Sequence, residues 1–363
     1  MTFNERATAL LELPVSPITW DSILRESERI HREFAHIPSS VKWALDYKCF
    51  LVEHGRQNLG EAVRYLRSAL SFAPYEMSLI EDYKQIVGKQ AEIDSLILVI
   101  SSRVNVDRAL RLAAFLEDAG LDYMLVSGAD TPAISHPRAL QVDASDAYEA
   151  TPRKVAAALT WVYENIGTNV GVLKVDDHML LQDAGRLRSS LQEAAAHGGY
   201  AGVPVGGLDH DRCAHWGKCL NQEMNRRGYG RPVMRNWADG GAYYLGARAL
   251  EKLVLSFIRF PGLLEGEFYE DKLVGDTLVF EGEALIQHSR HTHFGFVDNG
   301  VTASAGFVPD PVSAPVATPR PPAAQTRPLP SAEAPPVPAA TPPAAAPPRA
   351  KGSPLKLSDW NAR

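Results

Sequence analysis

VGVLKVDDHM, residues 170–179, joins a short apolar run to a cluster of acidic and imidazole side chains. Residues 170–175 have the length and β-branched content of a buried strand. Ligands of parallel sheets bind beyond the carboxyl ends of the strands, and Asp176, Asp177 and His178 follow this strand. Carboxylate and imidazole groups together suit Mn²⁺, or Mg²⁺. Taken alone, such a tripeptide is more typical of a turn or a helix N-cap, so its surroundings decide between the two interpretations.

The sequence around this strand alternates apolar runs with helical patterns. Two further strands and three helices are predicted, at 96–100, 122–128, 106–119, 152–166 and 183–195. Such alternation is typical of a mostly parallel sheet with helices on both faces. We therefore predict an α/β domain over residues 93–300.

Helical periodicity dominates the region before this domain, residues 1–92. The segment 47–74 resembles one tetratricopeptide unit, in which Ala62 and Leu66 belong to the apolar face and Pro74 ends the second helix. A single unit cannot bury its own face, so we expect a helical cap packed on the sheet domain. A module that binds a partner protein is the alternative.

Proline is concentrated at the other end of the chain, where residues 301–363 hold 16 of the 26 prolines. This Pro/Ala-rich segment lacks the apolar residues of a core, so we predict a disordered tail. Its last ten residues, PLKLSDWNAR (354–363), form a candidate docking peptide for a protein partner. The tail carries a net charge of +3. Since the whole chain carries −6, residues 1–300 carry −9. A domain this acidic is not expected to bind nucleic acid.

Neither secretion nor membrane insertion is predicted. The N-terminus has no basic region leading into an apolar run of signal-peptide length. The strongest uninterrupted apolar run, residues 96–100, is far shorter than the ~20 residues of a membrane-spanning helix. We expect a cytoplasmic protein, with peripheral attachment at the inner membrane face left open.

Two other groups of residues have alternative interpretations. The first group is His210, Cys213, His215 and Cys219, in which histidine and cysteine alternate at short spacing. That spacing is compatible with a zinc clip, although a polar loop with buried thiols is the expected interpretation. The other is a pair of tryptophans, Trp216 and Trp237, whose rings suit either sugar stacking or a core.

Several motifs follow one another in a defined order between residues 95 and 295. Their residues are Arg108 and Arg111; Asp143, Asp146 and Tyr148; Lys154 and Trp161; Lys174, Asp176 and Asp177; Gly240 and Gly241; and Glu270, Asp271 and Gly275. In this order they resemble the β-1,3-galactosyltransferase and Fringe-like glycosyltransferases, grouped as glycosyltransferase family 31. The resemblance implies a GT-A fold, an α/β/α nucleotide-sugar-binding sandwich. It also implies inverting transfer of galactose or an N-acetylhexosamine from a UDP-sugar to a glycan acceptor, assisted by Mn²⁺ or Mg²⁺.

The same resemblance implies roles for individual residues. The base that accepts the proton of the acceptor hydroxyl is Asp271, with Glu270 as the alternative. The residues expected to bind the UDP-sugar are Arg108, Arg111, Asp143, Lys154, Lys174 and Asp176. The residues expected on the acceptor side are Gly240, Gly241 and Trp237. A chain with these features and no membrane anchor fits a bacterial enzyme that builds a surface glycan.

His178 departs from the family pattern, which has a third aspartate as the usual metal ligand. Asp177 and His178 remain the expected metal ligands, and one of three later histidines is expected to join them. These candidates are His288, His291 and His293. The departure also supports an alternative, an inactive glycosyltransferase-like scaffold that binds partners through its helical N-terminus or its tail. A metal-dependent hydrolase using the same residues is a third hypothesis.

Overall fold

A computed structural model describes residues 2–205, 215–229, 237–287 and 294–298. These ranges form an α/β structure, with an N-terminal helical region followed by a mixed seven-stranded sheet and its flanking helices. The helices described are α1 Phe3–Glu12, α2 Trp20–Glu33, α3 Ser39–Gly55, α4 Leu59–Phe72, α5 Met77–Val87, α6 Val106–Asp118, α7 Thr151–Asn165, α8 Ala184–His197, α9 Ala247–Arg259 and α10 Glu270–Phe280. The strands described are β1 Ser95–Ile100, β2 Tyr123–Gly128, β3 Ala139–Val142, β4 Gly171–Asp176, β5 Met179–Leu181, β6 Tyr200–Pro204, β7 Ala238–Leu245, β8 Leu285–Gln287 and β9 Phe296–Asp298.

The strand order of the main sheet is β3-β2-β1-β4-β7-β6-β8. Strands β3, β2, β1 and β4 pair in parallel. Strand β7 runs antiparallel to both of its neighbours, β4 and β6, and β8 is again parallel to β6. The expectation of a mostly parallel sheet is therefore confirmed, with β7 as the exception among the strands described. A second sheet pairs β5 with β9.

Both faces of the sheet are buried, as β1 illustrates. Leu96, Leu98 and Ile100 pack in the cluster that includes α7 and α9, whereas Ile97 and Val99 pack in the cluster that includes α6 and α8. Successive residues of a strand point to opposite faces, so a continuous apolar run is what a sheet covered on both sides requires. The helices predicted on this basis match α6, α7 and α8 to within two residues at each end.

The N-terminal helices pack against the sheet domain through α4 and α5. The apolar face of α4 is buried at Ala62 and Ala69, in the same hydrophobic cluster as α7 and α9. At this contact Glu164 of α7 pairs with Arg67 and accepts a hydrogen bond from the Tyr83 hydroxyl at 2.6 Å. These contacts agree with a helical cap, and binding of a partner protein by the cap stays a prediction.

Within the described ranges, no helix is both long and apolar enough to cross a membrane. The two cysteines described, Cys49 and Cys219, are buried and free. The Pro/Ala-rich tail, residues 301–363, lies outside the described residues, so its predicted disorder stays a prediction.

Candidate functional site

The acidic cluster lies at the carboxyl edge of the sheet, as its sequence context predicts. Asp176 is the last residue of β4 and pairs with Ile100 at the end of β1. The backbone N–H of Asp177 donates to the Ile100 carbonyl at 3.2 Å. His178 completes the turn before β5. The position next to two adjacent strand ends is where sheets of this kind bind ligands.

Lys174 joins three of the sequence motifs. Its side chain is 1% exposed, and its Nζ atom lies 2.6 Å from Asp176 Oδ1 and 3.3 Å from Glu270 Oε2. The same ammonium donates to the Gly240 carbonyl. Burial alone would lower the pKa of Lys174, but the Asp176 and Glu270 carboxylates hold it well above its ordinary value. The end of β4, the start of β7 and the start of α10 therefore meet at one buried positive charge.

Glu270 is held by both of its carboxylate oxygens. Oε1 accepts a hydrogen bond from the Tyr243 hydroxyl, while Oε2 faces Lys174. Burial raises the pKa of Glu270 to about 7, although Lys174 acts in the opposite direction. Because both of its oxygens already have partners within the protein, this carboxylate has a structural role.

Asp271, the next residue, lies against the glycine of the predicted acceptor segment. Its Oδ1 accepts a hydrogen bond from the Lys272 N–H at 2.8 Å. Its Oδ2 is 3.4 Å from the position that a Cβ would occupy at Gly240. A side chain at position 240 would therefore be in ordinary van der Waals contact with the Asp271 carboxylate. The first turn of α10 also favours a negative charge, because the N-terminal end of a helix is the positive end of its dipole.

Asp177 is directed inward, away from solvent. Burial and the charge of Asp176 raise the pKa of Asp177 to about 7, whereas the Ser101 side chain, Lys154 and Arg108 act to lower it. The carboxylate therefore lies among groups from α6, α7 and the residue that follows β1.

The pair that faces each other at this turn is Asp176 and His178. Asp176 Oδ2 and His178 Nδ1 are 3.9 Å apart, and both side chains are about one-third exposed. Two cis ligands of one octahedral ion, each at ~2.1 Å, lie ~3.0 Å apart, so the two side chains would have to approach each other by about 1 Å to share a divalent ion. The metal role predicted for Asp177 and His178 stays a prediction, and Asp176 is a further candidate ligand beside His178.

The complete metal site is not found among the described residues. No group of three or more His, Cys, Asp or Glu side chains within those ranges has the arrangement of a metal site. The three histidines predicted to complete it, His288, His291 and His293, lie outside the described residues.

Lys154 is a structural residue, which corrects its predicted contact with the nucleotide. Its buried Nζ donates to the Ser101 carbonyl at 2.6 Å and to Asp146 Oδ1 at 3.0 Å. Asp146 also accepts the Gly128 N–H at 2.8 Å and the Thr131 hydroxyl. The network ties the loop after β2 to α7. The same correction applies to Lys174, since a buried ammonium with three protein partners has no surface left for a UDP-sugar.

The other predicted site residues divide by exposure. Asp143 is exposed just after β3, and Arg111 is exposed one turn beyond the half-buried Arg108 on α6. Gly241 lies beside Gly240, and its N–H donates to Asp239 Oδ1 at 2.8 Å. Trp237 is 0% exposed, so its ring is part of the core and the acceptor role predicted for it is corrected.

One functional candidate was missed by sequence reasoning, and His215 of the candidate zinc clip has a structural role instead. The hydroxyl of Tyr243 donates to Glu270, and no periodicity distinguishes this residue from Tyr244, the other tyrosine of β7. His215 is fully buried, and its ring nitrogens lie 2.6 Å from the Tyr269 hydroxyl and 2.8 Å from the Arg227 carbonyl. With both nitrogens engaged, His215 does not act as a zinc ligand. His210 and Cys213 of the same motif lie outside the described residues.

No protein-family model matches the chain, and no curated protein sequence matches it significantly. The family resemblance therefore depends on the motif residues and on the places that they take in the fold.

Proposed function

We propose that this chain is an inverting glycosyltransferase with a GT-A fold, which transfers a hexose from a UDP-sugar to a glycan acceptor. The observation that carries the proposal is the meeting of three motifs at Lys174. Asp176, Gly240 and Glu270 are far apart in the sequence, yet each contributes an oxygen to the same ammonium. Chance matches to short motifs would have no reason to converge in this way.

Asp271 is the proposed base, on the strength of the motif resemblance. In a single displacement, the acceptor oxygen bonds to the anomeric carbon while the bond from that carbon to the diphosphate oxygen breaks. UDP leaves with the bonding electrons, and the acceptor proton passes to the Asp271 carboxylate. Glu270 is less suited to this role, because its two oxygens face Tyr243 and Lys174.

A divalent cation, Mn²⁺ or Mg²⁺, would neutralise the negative charge that grows on the departing diphosphate. Among the described residues, Asp176 Oδ2 and His178 Nδ1 are the atoms that would hold it. Lys174 supports this arrangement, because it binds Asp176 Oδ1 and so orients the other oxygen towards His178.

A scaffold without transferase activity is the second candidate. The observation that favours it is the burial of Asp177, one of the predicted metal ligands. Titration calorimetry with UDP separates the two candidates. The transferase binds UDP more tightly when Mn²⁺ is present, and the scaffold shows no such dependence.

Turnover of UDP-sugars tests the proposal directly. The full chain is incubated with UDP-galactose, UDP-glucose and the two UDP-N-acetylhexosamines, with and without Mn²⁺, and released UDP is measured. We expect metal-dependent release from at least one donor, and a loss of about 10²-fold or more in Asp271→Asn. Asp118→Asn, an exposed substitution on α6, is the control and should retain full activity. Release from no donor, or full activity of Asp271→Asn, would contradict the proposal.

A further inference from the structure

Trp216 stands out among the tryptophans of the described ranges. Its side chain is 56% exposed, whereas the other four described are half-buried or buried. A large aromatic ring left in water commonly marks a binding surface when its position is fixed.

The position of Trp216 is fixed from two sides. Its Nε1–H donates to the Arg227 carbonyl at 3.3 Å. Its ring also meets the ring of His215 edge to face, with centroids 6.5 Å apart. His215 is itself fully buried and bound to the Tyr269 hydroxyl and the Arg227 carbonyl. The indole is therefore exposed but preorganised, and little conformational entropy is lost when a ligand packs on it.

The segment that carries Trp216 is attached on its other side to the DxxDxY motif. The N–H groups of Leu220 and Asn221 donate to the Glu149 carboxylate at 3.1 and 2.9 Å. Lys218 Nζ lies 5.4 Å from the centre of the Tyr148 ring. Tyr269, which holds His215, immediately precedes Glu270 and Asp271. The segment thus spans from the predicted nucleotide motif to the helix that carries the predicted base.

We propose that Trp216 is a stacking platform for a sugar ring of the acceptor. A pyranose has an apolar face of C–H groups and a rim of hydroxyls, which matches an indole whose face is open to water. Trp216 is linked to the start of α10 through His215 and Tyr269. The acceptor in this proposal is an oligosaccharide, with one ring on Trp216 and another that carries the reacting hydroxyl. This inference rests on the proposed function for its location beside a transfer site.

Glycan binding tests the inference without requiring turnover. The full chain, with UDP and Mn²⁺ present, is applied to an array of oligosaccharides as wild type, Trp216→Ala, Trp216→Phe and Phe115→Ala. Phe115 is the matched control, since its ring is 55% exposed on α6. We expect wild type and Phe115→Ala to bind the same oligosaccharides. Trp216→Ala should bind them at least tenfold more weakly, and Trp216→Phe should recover part of the loss.

Calorimetry with UDP and Mn²⁺ completes the test, because Trp216→Ala should bind UDP as wild type does. The inference is overturned if Trp216→Ala binds glycans like wild type, if wild type binds no oligosaccharide, or if UDP binding is lost with the indole. Trp216-dependent glycan binding by a chain that turns over no UDP-sugar would keep Trp216 as a sugar-stacking platform but refute the proposed transferase, and with it the acceptor role of the bound glycan.

Discussion

Lys174 Nζ lies 3.3 Å from Glu270 Oε2, and both side chains are buried. The contact joins the end of β4 to the first turn of α10. Since Asp271 is the next residue on that turn, the ion pair sets where the proposed base lies relative to Asp176. Removing one partner of a buried pair leaves the other charge without compensation.

Lys174→Met should therefore destabilise the fold strongly. The variant leaves Asp176 and Glu270 without their shared counterion, and we expect a loss of about 3–5 kcal/mol in the free energy of unfolding at pH 8. Glu270→Gln should recover part of this loss when combined with Lys174→Met. Urea unfolding of the wild type, the two single variants and the double variant measures the coupling. Losses that add to within ~0.5 kcal/mol would show that the two residues do not interact.

Tyr243→Phe should impair turnover more than stability. The substitution removes only the hydroxyl that donates to Glu270, so we expect a loss of about 1–3 kcal/mol in stability and a lower kcat with an unchanged donor KM. Tyr200→Phe is the matched control, because Tyr200 is equally buried and its hydroxyl accepts the Ala238 N–H at 2.7 Å. Equal kcat values in the two variants would contradict a positioning role for Tyr243.

The sequence predicts the parallel half of the sheet better than the other half. Strands such as β1 are continuous apolar runs, because both of their faces are buried. Strand β7 begins Ala-Asp-Gly-Gly, residues that disfavour strands, and it forms because β4 and β6 pair with it on both sides. Strand β8 has three residues, too few for a pattern. These strands form because segments that are distant in the sequence pair with them. Local periodicity does not predict such pairing.

The candidate site divides in the same way. Asp176 and Asp177 could be placed at the sheet edge, because a strand precedes them. Which of them faces His178 could not be predicted, because the directions of their side chains depend on the conformation of the turn that follows the strand. The pairing of Lys174 with Glu270 and the burial of Trp237 are likewise tertiary properties, and composition or spacing does not determine them.

Two aspartates of one motif should behave differently. Asp146 is bonded to Lys154, Gly128 and Thr131, so Asp146→Asn should lower stability by about 2–3 kcal/mol. Asp143 is exposed, so Asp143→Asn should alter stability by less than about 0.5 kcal/mol and should instead weaken UDP binding. Urea unfolding and UDP calorimetry on both variants check the contrast. A fully stable Asp146→Asn would argue against its structural role.

Stability should depend on pH through Asp177. The pKa of this carboxyl is about 7 in the folded protein and about 3.9 in an unfolded chain. Between these values the unfolded chain gives up the proton first and binds fewer protons, so wild-type stability falls as the pH rises from ~4 to ~7. Asp177→Asn lacks this penalty, and its stability relative to wild type should improve with pH by at most about 4 kcal/mol.

Urea unfolding with a chelator at pH 4.5 and pH 8 measures this difference. Glu270 also has a raised pKa, but it is present in both proteins, so its contribution cancels when they are compared at the same pH. Asp118→Asn, at an exposed position of α6, should follow the wild type at both pH values. If Asp177→Asn gains nothing over wild type between pH 4.5 and 8, the carboxylate of Asp177 is ionised in the folded protein without penalty, and its inward position has to be abandoned.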